Sequence, residues 1–196
     1  MRYFTIVLLA AALTACASAS KPGAMVAELT EATIIDESSV LRENIAVGDV
    51  SGGKETNPLW TSEVSSEDFA EALRLSFTSH AMLAMGESQY RLDAELVKLK
   101  QPFAGFNMTV TSIVAYTLTD VATGKVVYKD TVEEAYTAKV GDAFMGVQRL
   151  RLANEGSIKG NISTLIKSLI EKIDANEATQ SIESDAEDEA DADASS

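Results

Sequence analysis

The chain has 196 residues, with 16 Lys and Arg against 30 Asp and Glu, a formal charge of −14, and one Cys, one His and one Trp. A lone Cys excludes a disulfide framework and multi-cysteine metal sites, a lone His excludes clustered imidazole ligands, and the acidic balance argues against nucleic acid as a partner. With residues 1–20 and 175–196 unsuited to a core, about 150 residues remain, enough for one domain and too few for two.

Met1-Arg2-Tyr3-Phe4 is a short, weakly positive start, followed by an apolar run from Ile6 to Leu13. About ten apolar residues are too few to span a bilayer about 30 Å thick, so residues 1–15 read as a secretory signal. The run closes on Leu13-Thr14-Ala15-Cys16, which resembles the lipobox of bacterial lipoproteins. The resemblance implies cleavage before Cys16, a diacylglycerol on its thiol and an acylated amino terminus. Three acyl chains exceed the two membrane signals that stable anchoring needs. Ala17 rather than Asp follows Cys16, which by the sorting rule of such lipoproteins implies the outer membrane. Residues 16–31 are expected to be the lipidated Cys and a flexible tether, Ser, Lys, Pro and Gly marking it between Ala17 and Ala24.

A single domain is expected over 32–174. Asn44 to Val50 reads as a strand closed by Ser51-Gly52-Gly53, and a loop continues to Ser66 through Asn57-Pro58-Leu59-Trp60. Ser65-Ser66-Glu67-Asp68 predicts a helix start, with a hydroxyl cap and acids in the first turn. Phe69, Leu73, Phe77, His80 and Ala84 then share one helical face, and Gly86 is the expected stop. Tyr90, Leu92, Ala94 and Leu96 alternate with charges as one strand. Thr109 to Asp120 sets Val110, Val114, Tyr116 and Leu118 against a Thr-rich face. Asp120 to Lys125 predicts a hairpin turn with Gly124 at positive φ, and the return strand puts Val126, Tyr128, Val132 and Tyr136 on one face. A long helix is expected from about Asp142 to Ile173, with Phe144, Val147, Ile158, Ile162, Leu165, Ile166, Leu169 and Ile173 as its stripe. Arg151 and Glu155 fall within that stripe and predict a partly buried, mutually satisfied pair. The fold class is α+β: two layers, an antiparallel sheet of about four strands and helices on one face, in the order β-α-β-β-β-α. The Thr-rich face is left to water or a partner. From Ala175 onward eight carboxylates occur in 22 residues without Lys, Arg or an aromatic, which predicts a disordered acidic tail.

Motifs for catalysis are missing. There is no P-loop, dinucleotide-binding glycine pattern or Gly-x-Ser-x-Gly elbow, and His80 lies on an apolar helix face where a packing role is expected. No metal site and no cofactor are expected, and the protein reads as a non-enzyme. Trp60, in a loop with Gly and Pro, is a candidate interface anchor, so Asn57, Pro58, Leu59 and Trp60 are the expected partner-binding loop. Leu75 and Met82, seven residues apart on the otherwise polar side of the first helix, are expected to extend the contact.

The strand Asn44 to Val50, the helix Phe69 to Met85, the hairpin Tyr116-Thr117-Leu118-Thr119-Asp120 with Thr123-Gly124-Lys125-Val126-Val127, and the terminal helix together resemble small envelope lipoproteins. These are the curli-secretion-type lipoproteins, the lipoprotein activators of peptidoglycan synthases and the auxiliary lipoproteins of lipid-transport ABC systems. The resemblance covers about residues 42–173, and no segment offers the long lipid-facing alternation of a pore. It implies an accessory lipoprotein at the outer membrane, facing the periplasm and docking onto another envelope protein. The rival expectation is a carrier holding a lipid or glycan between sheet and helices, with Met82, Met85 and Phe side chains as its lining. An envelope-glycan enzyme comes third.

Overall fold

The computed structural model describes residues 17–57 and 61–174. Residues 1–16, which hold the expected signal and Cys16, the loop residues Pro58, Leu59 and Trp60, and the acidic tail lie outside the described residues. Strand β1 (Ile45–Ser51) leads through helix α1 (Ser66–Ser79) to β2 (Tyr90–Lys100), β3 (Met108–Asp120), β4 (Val126–Ala138) and helix α2 (Gly146–Leu169), which closes in a π-turn at Ile170–Asp174. The sheet order is β1-β2-β3-β4. This is the expected α+β fold and element order, with one difference in the sheet. β1 pairs with β2 in parallel, Ile45 opposite Tyr90 and Ser51 opposite Glu95, while the other two pairings are antiparallel. The intervening helix returns the chain to the end where β1 began, and a strand reached by such a crossover runs parallel.

The alternation works as predicted on β2 and β3. Tyr90, Leu92, Ala94, Leu96, Val110, Val114, Tyr116 and Leu118 are buried beneath the helices, and no residue from Thr109 to Thr119 on the opposite face of β3 is buried. The β3–β4 hairpin turns at Gly124 with φ 70°, and Asp120 accepts from both the amide and the hydroxyl of Thr123.

Helix α1 starts where the sequence placed it, with Ser65 Oγ accepting from the Asp68 amide at 3.0 Å. It ends six residues earlier than the Gly86 stop. Ala81 takes φ 54° and donates to Thr78 O, while Met82 donates to Phe77 O, the paired bonds of a Schellman turn. Ala stands where Gly is usual, so the stop carried no sequence marker. Residues 81–84 then leave the helix to bond the start of β1, with Asn44 and Ile45 donating to Met82 O and Ala84 donating to Ile45 O. This corrects the reading of Met82: the turn tucks it into the core at 0% exposure, away from the polar side of the helix.

Helix α2 begins at Gly146, four residues later than expected, because Asp142 closes a turn with the Lys139 amide. Phe144 is therefore fully exposed and outside the apolar stripe. Residues 17–28 differ most from expectation. They are packed onto the domain, with Ala17, Ser20, Met25 and Ala27 buried. Residues 17–28 of the expected tether form a strap against the domain.

Candidate functional site

The strand directions gather the C-terminal ends of β1, β2 and β4, the start of β3 and the starts of both helices at one end of the molecule. The hairpin Asp120–Lys125 lies at the other. Helix α2 alone covers about 36 Å between them at 1.5 Å per residue.

The chain enters the described structure at the helix-start end. Ser62 Oγ donates to Ser18 O at 2.7 Å and Arg151 Nη1 donates to Ser18 Oγ at 2.8 Å. The Ser20 amide donates to Glu63 O, and the Lys21 amide donates to Glu155 Oε1 at 2.9 Å. Farther on, the Ala27 amide donates to Ser76 Oγ, which itself donates to Ala72 O on α1. Arg151 and Glu155 form the expected ion pair, Nε 3.5 Å from Oε1, but that Nε is buried without a hydrogen-bond partner, so the two do not satisfy each other as the spacing predicted. Their better hydrogen bonds go to the strap, so the pair clamps the N-terminal segment as well as pairing with itself. Burial raises the Glu155 carboxyl above the ordinary carboxylate range, against the lowering effects of the Lys21 amide and Arg151. Burial likewise raises Glu63 beside the strap.

Beneath the strap, Gln101 Nε2 donates to Ser62 O at 2.8 Å and to Asn154 Oδ1 at 2.9 Å, and Asn154 Nδ2 donates to the same Ser62 carbonyl. This amide cluster ties the end of β2, the segment before α1 and the third turn of α2 to one another. The sequence reading did not single out Gln101 or Asn154, because their role exists only once three distant segments meet.

Of the expected partner-binding residues, Pro58, Leu59 and Trp60 lie outside the described residues. Asn57 is exposed and bridges to Thr61, whose hydroxyl donates to Gln101 Oε1. The base of the Asn57–Trp60 loop is thus rooted at the helix-start end. Leu75 lies about two and a half turns along α1 and is 37% exposed, and Met82 is buried. His80 is 2% exposed and donates from Nδ1 to Ser76 O at 2.7 Å, with Nε2 buried and unpartnered. That fits the expected packing role, and among the described residues no carboxylate hydrogen-bonds its ring.

Two surface hollows accompany these contacts. One of about 190 Å³ is lined by Gly52, Lys54, Glu63, Val64 and Leu96–Leu99, and one of about 270 Å³ by Ala24, Tyr136, Asp142, Leu152, Glu155, Gly156 and Lys159. Both fall below the usual volume of a small-molecule site. Met82 is core and Met85 is 89% exposed, so neither lines an internal cavity as the carrier reading required. Among the described residues no group of three or more His, Cys, Asp or Glu is placed to hold a metal ion, and no helix is long and apolar enough to cross a membrane.

No protein-family model matches the sequence, and no curated protein does. The fold is similar to that of a DUF330-family protein from Xanthomonas campestris, with a TM-score of 0.57 at 12% identity over 83% of this chain and 99% of that one. Weaker likenesses are to a minor lipoprotein from Acinetobacter baumannii (TM-score 0.37, 11% identity, 69% of this chain and 94% of that one) and to PelC from Paraburkholderia phytofirmans (TM-score 0.40, 17% identity, 63% and 86%). At such identities the likeness to the Xanthomonas protein is one of fold alone.

Proposed function

We propose that this chain is a non-catalytic lipoprotein of the cell envelope, held at the outer membrane by acylated Cys16 and facing the periplasm, where it docks onto another envelope protein. The observation that carries the reading is the sequence Leu13-Thr14-Ala15-Cys16 placed one residue before a strap that packs on the domain. An unpaired Cys in an exported chain needs a chemical role, and thioether lipidation supplies one. Anchoring there sets the helix-start end toward the bilayer. The Asn57–Trp60 loop rooted at that end then meets a partner held in the same membrane. Ala17 in place of Asp supports the outer-membrane assignment.

The test is metabolic labelling of the full chain with an alkyne fatty acid, beside Cys16→Ser, followed by crosslinking in native membranes and mass spectrometry. The expected result is label on the wild-type chain alone and a recurring crosslinked protein that is lost when residues 57–60 are replaced by Gly and Ser. A Cys16 thiol that stays unacylated overturns the anchor, and partner capture indifferent to residues 57–60 overturns the docking loop.

A further inference from the structure

Phenylalanine occurs six times in the chain, and three of the six, Phe103, Phe106 and Phe144, are 106, 85 and 94% exposed. Single exposed apolar residues are ordinary, but three exposed aromatics on adjoining loops mark a contact surface. Phe103 and Phe106 sit in the β2–β3 loop, and Phe144 sits in the β4–α2 loop. The two loops are neighbours by register, since Met108 at the start of β3 faces Ala138 at the end of β4. They are also joined directly. Arg149, 7% exposed, donates from Nη1 to Ala143 O and Phe144 O at 2.7 Å each and reaches Gly105 O at 3.4 Å, while the Val140 amide donates to Asn107 Oδ1. A buried guanidinium thus joins both loops as one tip, and half-exposed Val140 belongs to the same β4–α2 loop.

The tip lies at the end where the chain enters from Cys16. Gln101, two residues before Phe103, donates to Ser62 O, and Ser62 donates to Ser18 O. Two hydrogen bonds therefore connect the base of the phenylalanine loop to a residue two positions from Cys16. Exposed Lys139 stands at the root of the β4–α2 loop, where a long cationic side chain suits a phosphate-bearing surface.

We propose that Phe103, Phe106 and Phe144 form a membrane-contacting tip that enters the boundary between headgroups and acyl chains in the leaflet holding Cys16. The inference rests on the Cys16 reading and adds what that reading leaves open: the orientation of the domain. Acyl chains supply the affinity, and three rings on a rigid tip fix which end faces the lipid. The choice of lipid over protein follows from the entry of the chain, since Ser18, two positions after Cys16, is two hydrogen bonds from the base of the Phe103 loop. The hairpin then points away from the bilayer.

The test uses full-length acylated protein carrying Phe103→Cys, Phe106→Cys or Phe144→Cys, with Val121→Cys in the hairpin as reference. Lipidation consumes the one native thiol, so the new Cys alone takes an environment-sensitive nitrobenzoxadiazole label. The proteins are reconstituted into phosphatidylethanolamine–phosphatidylglycerol vesicles containing a shallow spin-labelled lipid. Quenching about threefold or more stronger at the three tip positions than at Val121, with blue-shifted emission, is the expected result for rings at that depth. Acylated protein whose tip labels are quenched no more than the Val121 label overturns the tip while leaving the anchor intact. Blue-shifted emission without lipid quenching assigns the tip to a protein contact and also overturns it. A chain that is never acylated overturns the anchor and the tip together.

Discussion

Helices α1 and α2 cover the same face of one sheet by different means. Helix α1 buries Phe69, Ala70, Ala72, Leu73, Ser76 and Phe77, and among these only Ser76 is polar. Helix α2 buries twelve residues, and five of them, Arg149, Asn154, Glu155, Ser157 and Asn161, carry polar or charged groups. The polar ones all lie before Ile162, and the buried residues from there on are apolar. Asn161 is the centre of the arrangement. Its Oδ1 accepts from Tyr116 Oη at 2.8 Å, and its Nδ2 donates to Val132 O, Ser112 O and Ser112 Oγ. Burial pushes the Tyr116 hydroxyl well above the ordinary phenol range, so it remains a donor. One helix is held by area and shape, and the other adds hydrogen bonds that have to be matched atom by atom.

The largest effect should come from the apolar side of this contrast. Phe77→Ala removes a fully buried ring and is expected to cost about 3–5 kcal/mol of unfolding free energy, read from urea denaturation. Next comes the polar side: Asn161→Leu strands the Tyr116 hydroxyl and the Val132 carbonyl and should cost about 2–4 kcal/mol. Adding Tyr116→Phe should recover part of that loss, because one of the stranded groups is then gone. A neutral Asn161→Leu would break the comparison.

Two glycines on α2 sharpen it further. A Cβ on Gly156 would meet the ring of Tyr136, whereas one on Gly160 meets only Glu134 atoms at 3.8–3.9 Å. Gly156→Ala should therefore lose about 1–3 kcal/mol by overpacking, while Gly160→Ala should gain about 0.5–1 kcal/mol from helix propensity. Opposite signs at positions four residues apart would show that the β4 ring, not the helix, sets the first.

The smallest effect is one of pH. The Glu155 carboxyl is raised in the folded state by burial, so the folded protein holds that proton more tightly than the unfolded chain does. Stability from this group is greatest below the ordinary carboxylate range and is lost as pH rises through the raised value. Hydrogen-exchange protection at the Ser20 and Lys21 amides, corrected for intrinsic rates, should decline across that interval. Glu155→Gln should flatten part of the decline, with Glu63, raised in the same direction, retaining the remainder.

The same contrast explains what was legible in the sequence. The alternation on β2 and β3, the hairpin at Gly124, the Ser65 cap and the faces of both helices followed from local periodicity and from residues with special backbone or capping chemistry. The end of α1 did not, since Ala81 adopts a conformation that Gly usually marks. The parallel pairing of β1 is a property of the crossover and is invisible in the strand itself. Docking of residues 17–28 depends on Ser62, Ser76, Arg151 and Glu155, up to 134 positions away from their partners, and small polar residues followed by Pro and Gly read locally as a linker. Of the candidate site, the Arg151–Glu155 pair was visible through its spacing, but its second role against the strap was not. Three of the four loop residues lie outside the described structure, and Met82 was misplaced by extending a helical phase beyond the true end of the helix.

The strap also has a mechanical consequence. A pull applied at Cys16 reaches Ser18, Ser20 and Lys21 first, and these residues bond to Ser62, Glu63 and Glu155. None of those bonds belongs to the sheet ladder. They lie in series along the strap, so load falls on one or two at a time and they part in sequence, whereas the antiparallel ladders of β3 bear load across many bonds together. Tension at that end would therefore part the bonds of the strap one after another before it loaded the strands.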